Sequence, residues 1–90
     1  MIKSFKCFDT RKLFETGKSV RFAALAKVAT RKLTQLEAAA TLEFLRSPPG
    51  NRLEALKGKR DGQHSIRVND QWRICFRWTP AGPEDVEIVD

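Results

Sequence analysis

The chain predicts an α+β domain: an N-terminal strand and two to three helices packed on one face of a small, mainly antiparallel sheet. Three observations carry that expectation. Apolar residues recur at helical spacing through the first half, Ser47-Pro48-Pro49-Gly50 interrupts the pattern, and apolar and polar residues alternate through the second half. Helical and extended segments that are segregated along a chain favour helices stacked on one side of an antiparallel sheet. Ninety residues are enough to close one core and too few for two, so residues 1–90 are expected to form a single domain.

Taken in order, Ile2–Phe8 reads as a short strand. Asp9 and Thr10 are N-cap candidates for the helical run RKLFETG, which Gly17 can end. From Phe22, the residues Leu25, Ala26, Ala29, Leu33, Leu36 and Ala40 mark one face of a long helix. Lys27, Arg31, Lys32, Gln35 and Glu37 lie on its other side and are expected to be solvated. Leu42, Phe44 and Leu45 extend this helix or form a separate short one, and the two prolines then break it. Beyond the break, Leu53–Leu56 is a candidate strand and Lys57–Gly62 a charged loop. His64–Val68 and Trp72–Trp78 are strands, Thr79–Pro83 is a turn, and Asp85–Val89 is a last strand.

The run GQHSIRVNDQWRICFRW carries the most information. Strand side chains alternate with period two, so Trp72, Ile74, Phe76 and Trp78 share one face, with Ile66 and Val68 beside them. A three-residue turn, Asn69-Asp70-Gln71, brings these apolar faces into register. A two-residue turn would rotate Trp72 away from the core. The register that buries the core sets Arg67 directly against Arg73. Opposed like charges destabilise a sheet by about 1 kcal/mol or less. A phosphate held between two guanidiniums reverses that effect, because arginine forks match phosphate oxygens. The bland alternative is that the arginines splay into water or pair with the acidic tail.

The formal charge is +6, and the distribution is uneven: all 17 Lys and Arg lie within residues 1–78, and 79–90 carry only acids. Such a body suits a polyanionic partner, although solubility alone accommodates a charge of this size. Cys7 and Cys75 lack metal-ligand spacing and are expected to be reduced, buried thiols. No metal or other cofactor is expected. No apolar run is long enough for a membrane span and the N-terminus lacks a signal-peptide core, so a cytoplasmic protein with no membrane partner is expected.

SPPGNRLEALKG, followed by GQHSIRVNDQWRICF and a terminal VEIVD, resembles the HigB group of the RelE/ParE toxin superfamily, the toxin halves of bacterial type II toxin–antitoxin systems. The resemblance covers essentially the whole chain, with Ser47–Phe76 as its specific part. It implies a RelE-like, microbial-RNase-like sheet and metal-independent, ribosome-dependent endoribonuclease activity on messenger RNA that inhibits translation. It also implies neutralisation by a HigA-like antitoxin, so the expected partners are that antitoxin, the ribosome and mRNA. On this resemblance, Arg67 and Arg73 hold the phosphate, with Glu54 and Asp90 as acid–base candidates. Lys57, Lys59, Arg60 and His64 are candidates for RNA or ribosome contact, although alternation places His64 with Ile66 and Val68 on the core side.

The sequence departs from the family pattern at two places. Glu54 stands where the best-known relatives have a histidine; a carboxylate there acts as a base if burial raises its pKa, or is simply solvated. The family's Asp-Tyr-His ending is represented by Asp90 alone, so a domain lacking the Tyr-His, and weak or lost catalysis, are expected. A non-catalytic module of the same fold, gyrase-targeting like ParE or antitoxin-binding, is the alternative reading.

Overall fold

Helix α1 spans Phe8–Thr16 in the computed structural model, which describes residues 1–48 and 50–90. Gly17 ends it as expected: its φ of 75° is left-handed, and its N–H donates to the Leu13 carbonyl at 2.8 Å. The N-cap is Cys7 rather than Asp9 or Thr10. Thr10 is drawn inward instead and is fully buried, while Asp9 pairs with Arg21 at 3.5 Å.

Helix α2 spans Ala26–Ala38 and is entered through a 3₁₀ turn, Ala23–Leu25, so the long helix expected from Phe22 to Ala40 is trimmed at both ends. Its apolar stripe is the expected one, with Leu25, Ala29, Leu33 and Leu36 buried. Lys32 is a correction. It was expected on the solvated face, yet only 8% of its surface is exposed, because its ammonium reaches inward to donate to Asn51 Oδ1. Glu43–Arg46 forms a separate 3₁₀ turn that buries Leu45 and leaves Phe44 exposed. Of the proline break expected at Ser47–Gly50, Pro49 lies outside the described residues.

Four antiparallel strands follow in the spatial order of the chain: β1 Glu54–Ala55, β2 His64–Arg67, β3 Arg73–Thr79 and β4 Gly82–Val89. The β2–β3 register is the one that the apolar faces demand, with Ile66 opposite Ile74 and Arg67 opposite Arg73. The turn is pinned by Asn69, whose Oδ1 accepts from the N–H groups of Gln71 (2.9 Å) and Trp72 (2.7 Å), while Val68 N–H donates to Trp72 O at 2.9 Å. Between β3 and β4 the register slips after the Cys75–Glu87 pair. Asp85, at φ 54°, is the extra residue of a bulge that lets Phe76 and Val86 both reach the core.

The predicted strand Ile2–Phe8 does not form. Phe5 alone bridges β4, in parallel with Val86, and α1 already begins at Phe8. The physical reason lies on the outer edge of β4, where hydroxyls compete for the backbone donors. Ser4 Oγ accepts from Asp85 N–H at 2.9 Å and Thr10 Oγ1 accepts from Ile88 N–H at 3.0 Å. Backbone bonds also tie the segment to β4, from Lys3 N–H to Pro83 O (2.7 Å), Lys6 N–H to Val86 O (3.0 Å) and Val86 N–H to Ser4 O (3.1 Å), so the edge is covered by a single bridge rather than a full strand.

The two helices pack on one face of the sheet. Leu13, Leu33 and Leu36 meet Ile66, Ile74, Phe76, Val86 and Ile88 in one core. Trp72 and Trp78 are half-buried against it, as alternation predicts, and Trp72 meets the Phe22 ring edge-on at 5.6 Å. Among the described residues no helix is long and apolar enough to cross a membrane.

Candidate active site

The face of the sheet turned away from the helices carries the charged side chains. Opposed residues of an antiparallel pair point to the same side, so the pairs Arg67–Arg73 and Glu54–Ser65 place two arginines, a carboxylate and a hydroxyl together. Val89 pairs with Arg73, which brings Asp90 to the same end of the sheet. The result is a cleft of about 220 Å³ whose lining includes Arg52, Glu54, Arg67, Arg73 and Asp90, with the nearly buried Ser65 at its base. Four residues named from the sequence thus meet in one place.

Their partners differ. Arg67 is half-buried and held by its own hairpin turn: Nε donates to Asn69 O at 3.1 Å and Nη2 pairs with Asp70. Arg73 is exposed and forms no ion pair among the described residues. The acidic tail does not neutralise either arginine, since the Asp90 carboxylate accepts instead from Gln71 Nε2 at 3.2 Å. Glu54 is exposed, the solvated one of its two expected settings.

The second group of candidates lies elsewhere. Lys57 and Lys59 are exposed at the 3₁₀ turn Gly58–Arg60, outside the cleft lining. Arg60 is engaged with Gln63 Oε1 (3.1 Å) and Glu87 Oε2 (3.2 Å), and Lys6 approaches the same carboxylate at 3.8 Å. His64 is half-buried on the core side, its ring stacked on Phe76 at 6.2 Å and its buried Nδ1 without a hydrogen-bond partner. Among the described residues no group of three or more His, Cys, Asp or Glu side chains is placed to hold a metal ion.

Neither Arg52 nor Asn51 is singled out by the sequence. Arg52 lines the cleft from the segment before β1, and Asn51 is fully buried behind it. The one available signal was an asparagine directly after Pro-Pro-Gly, which marks a turn and says nothing about what the turn holds.

Beneath the arginines, Cys75 is fully buried, as expected, whereas Cys7 is only partly so. Burial pushes the Cys75 thiol above its ordinary value of 9.0; Glu87 adds to this, and Arg60 and Arg73 oppose it. The folded protein therefore keeps a proton that the unfolded chain releases above pH 9, and stability falls as pH rises from there. Urea midpoints between pH 8 and 10 are expected to fall less steeply in Cys75→Ala than in the unaltered protein. Identical slopes would remove Cys75 as the cause.

A family model described as the RelE-like toxin of the type II toxin–antitoxin system HigB matches residues 3–90. The chain belongs to this HigB-like toxin family. It is 40% identical to Toxin HigB-1 of Vibrio cholerae over 80 residues, covering 87% of this chain and 84% of that one. It is also 44% identical to an uncharacterized protein of Haemophilus influenzae over 54 residues, 60% of this chain and 54% of the relative. Membership of a type II system implies a cognate antitoxin as partner of this HigB-like chain.

Proposed function

We propose that this HigB-like toxin is a ribosome-dependent endoribonuclease that cuts messenger RNA and so inhibits translation. The observation that carries the reading is the convergence of Arg67 and Arg73 with Glu54 and Asp90 in one open cleft. Cleavage by the RNA's own 2′-hydroxyl needs three things: removal of its proton, stabilisation of the crowded phosphate, and a proton for the departing 5′ oxygen. Arginine does not give up its proton, so Arg67 and Arg73 serve as the phosphate clamp. Glu54, Asp70 and Asp90 are the carboxylates lining the same cleft; Asp70 is taken by Arg67, which leaves Asp90 and the solvated Glu54 as the candidates for proton transfer. Lys57, Lys59 and Arg60 lie outside it and provide a basic surface for the ribosome or for RNA further along the strand.

Asp90 directly follows β4 and itself lines the cleft, so residues added after it start from the cleft. Extension by Tyr-His would supply proton-transfer groups that the cleft otherwise draws only from carboxylates. The test is cleavage of a message during translation and of the same message without ribosomes, by the 90-residue chain and by the extended one. Cleavage only with ribosomes, weak for the first chain and strong for the second, is expected. Equal cleavage by both would overturn the role assigned to the ending. An intact message together with arrested translation would favour the non-catalytic reading.

A further inference from the structure

We propose that Arg52 is a third phosphate-holding side chain of this cleft, meeting the RNA phosphate next to the one gripped by Arg67 and Arg73; the proposal rests on the RNA-cleaving reading above. Its first support is position. Asn51 O accepts from Arg67 N–H at 2.6 Å, so the Asn51-Arg52 segment runs alongside β2 as β3 does on the other side. Arg52, Arg67 and Arg73 therefore come from three neighbouring stretches of chain and line one cleft. Two opposed arginines converge on one phosphate, and a cation one stretch further across the sheet is placed for the adjacent one.

The second support is backbone conformation. Arg52 has φ 46°, a left-handed setting unfavourable for any residue with a Cβ and adopted most readily by glycine or asparagine. The surroundings impose it. Asn51 is fully buried, its Nδ2 donating to Leu45 O (3.1 Å) and Gln35 Oε1 (3.2 Å) and its Oδ1 accepting from Lys32 Nζ. A fixed asparagine followed by a strained arginine aims that arginine's backbone at the cleft, the pattern in which strain accompanies a binding role. The third support is availability: Arg52 is exposed and, like Arg73, has no ion pair among the described residues, whereas Arg67 already holds Asp70.

The test uses the complete chain and a fluorescein-labelled single-stranded RNA carrying 2′-O-methyl groups, which cannot be cut. Binding is followed by anisotropy across a salt series. Each phosphate contact contributes about 0.7 to the slope of log affinity against log salt for single strands. Arg52→Gly is expected to lower that slope by about 0.7 and to weaken binding roughly three- to tenfold at about 0.1 M salt, with Arg52→Lys keeping the slope. Because glycine accepts the left-handed setting, Arg52→Gly should melt no lower than the unaltered protein, which separates lost contact from lost fold. An unchanged slope in Arg52→Gly, with Arg73→Ala reducing it, would overturn the proposal and leave the cleft reading standing. No binding by the unaltered chain, or binding indifferent to Arg73→Ala, would overturn the arginine clamp including Arg52, while the cleavage assay on a translated message decides the RNA-cleaving reading separately.

Discussion

Arg73→Ala is expected to slow cleavage of a translated message by about 10²–10³-fold, the usual cost of removing one preorganised group that stabilises developing charge. Arg73 is singled out because it is exposed on β3, opposite Arg67, and carries no ion pair among the described residues. Its charge is free to meet a phosphate. Arg67→Ala should cost less, since that guanidinium is already shared with Asn69 O and Asp70. Arg73→Lys should fall between the unaltered protein and Arg73→Ala, because an ammonium keeps the charge and loses the fork. Stability should not fall: removing one of two opposed like charges is neutral or gains up to about 1 kcal/mol. Fragment appearance with time, measured in the 90-residue chain and in its Tyr-His extension, gives the rates, and thermal melting gives the stability. A rate unaffected by Arg73→Ala would remove the clamp from the account.

Asn51→Ala is expected to destabilise the fold by about 2–4 kcal/mol. Its amide ties α2 to the Glu43–Arg46 turn through Lys32, Gln35 and the Leu45 carbonyl, and its own carbonyl ties that junction to β2. Removing the side chain leaves a mostly buried ammonium and a carbonyl without partners, and unpaired buried groups cost far more than the net worth of the bonds they lost. Lys32→Met in the Asn51→Ala background should therefore recover much of the loss. Burial, followed by the neighbouring Arg31, holds the Lys32 ammonium below its ordinary value of 10.5. The folded state thus binds fewer protons than the unfolded chain as pH approaches 10.5, and this group makes stability rise with pH through that window. The deficit of Asn51→Ala should shrink there as well, which urea midpoints read directly. A deficit below about 0.5 kcal/mol, the scale of an ordinary surface change, would mean that Asn51 is not an anchor.

What the sequence disclosed and what it hid follow from the range of the forces involved. The β2–β3 register was legible because burial of Ile66, Ile74 and Phe76 permits only one alignment, and that alignment alone brings Arg67 and Arg73 together. The core stripe of α2 and the stop at Gly17 were legible for similarly local reasons. The N-terminal strand was misread because its fate was decided by the Ser4 and Thr10 hydroxyls and the bulge at Asp85, which no local pattern encodes. Lys32 was placed in water because its partner, Asn51, lies 19 residues away. Lys57, Lys59 and Arg60 follow Glu54 closely in sequence, whereas the loop carries them outside the cleft lining and Glu87 takes Arg60. Arg52 escaped notice because its importance rests on a left-handed backbone and a buried neighbour, neither of which has a periodicity.

The central claim is that the cleft directs the RNA's own 2′-hydroxyl onto a phosphate held by arginines. The chemistry of the fragment ends tests it most directly. Messages translated with the toxin, its Tyr-His extension and Arg73→Ala are mapped at their new 5′ ends, and those ends are assayed for phosphate. The account predicts 5′-hydroxyl ends that Arg73→Ala suppresses. New ends bearing 5′-phosphate, or 5′-hydroxyl ends produced equally well without Arg73, would contradict it.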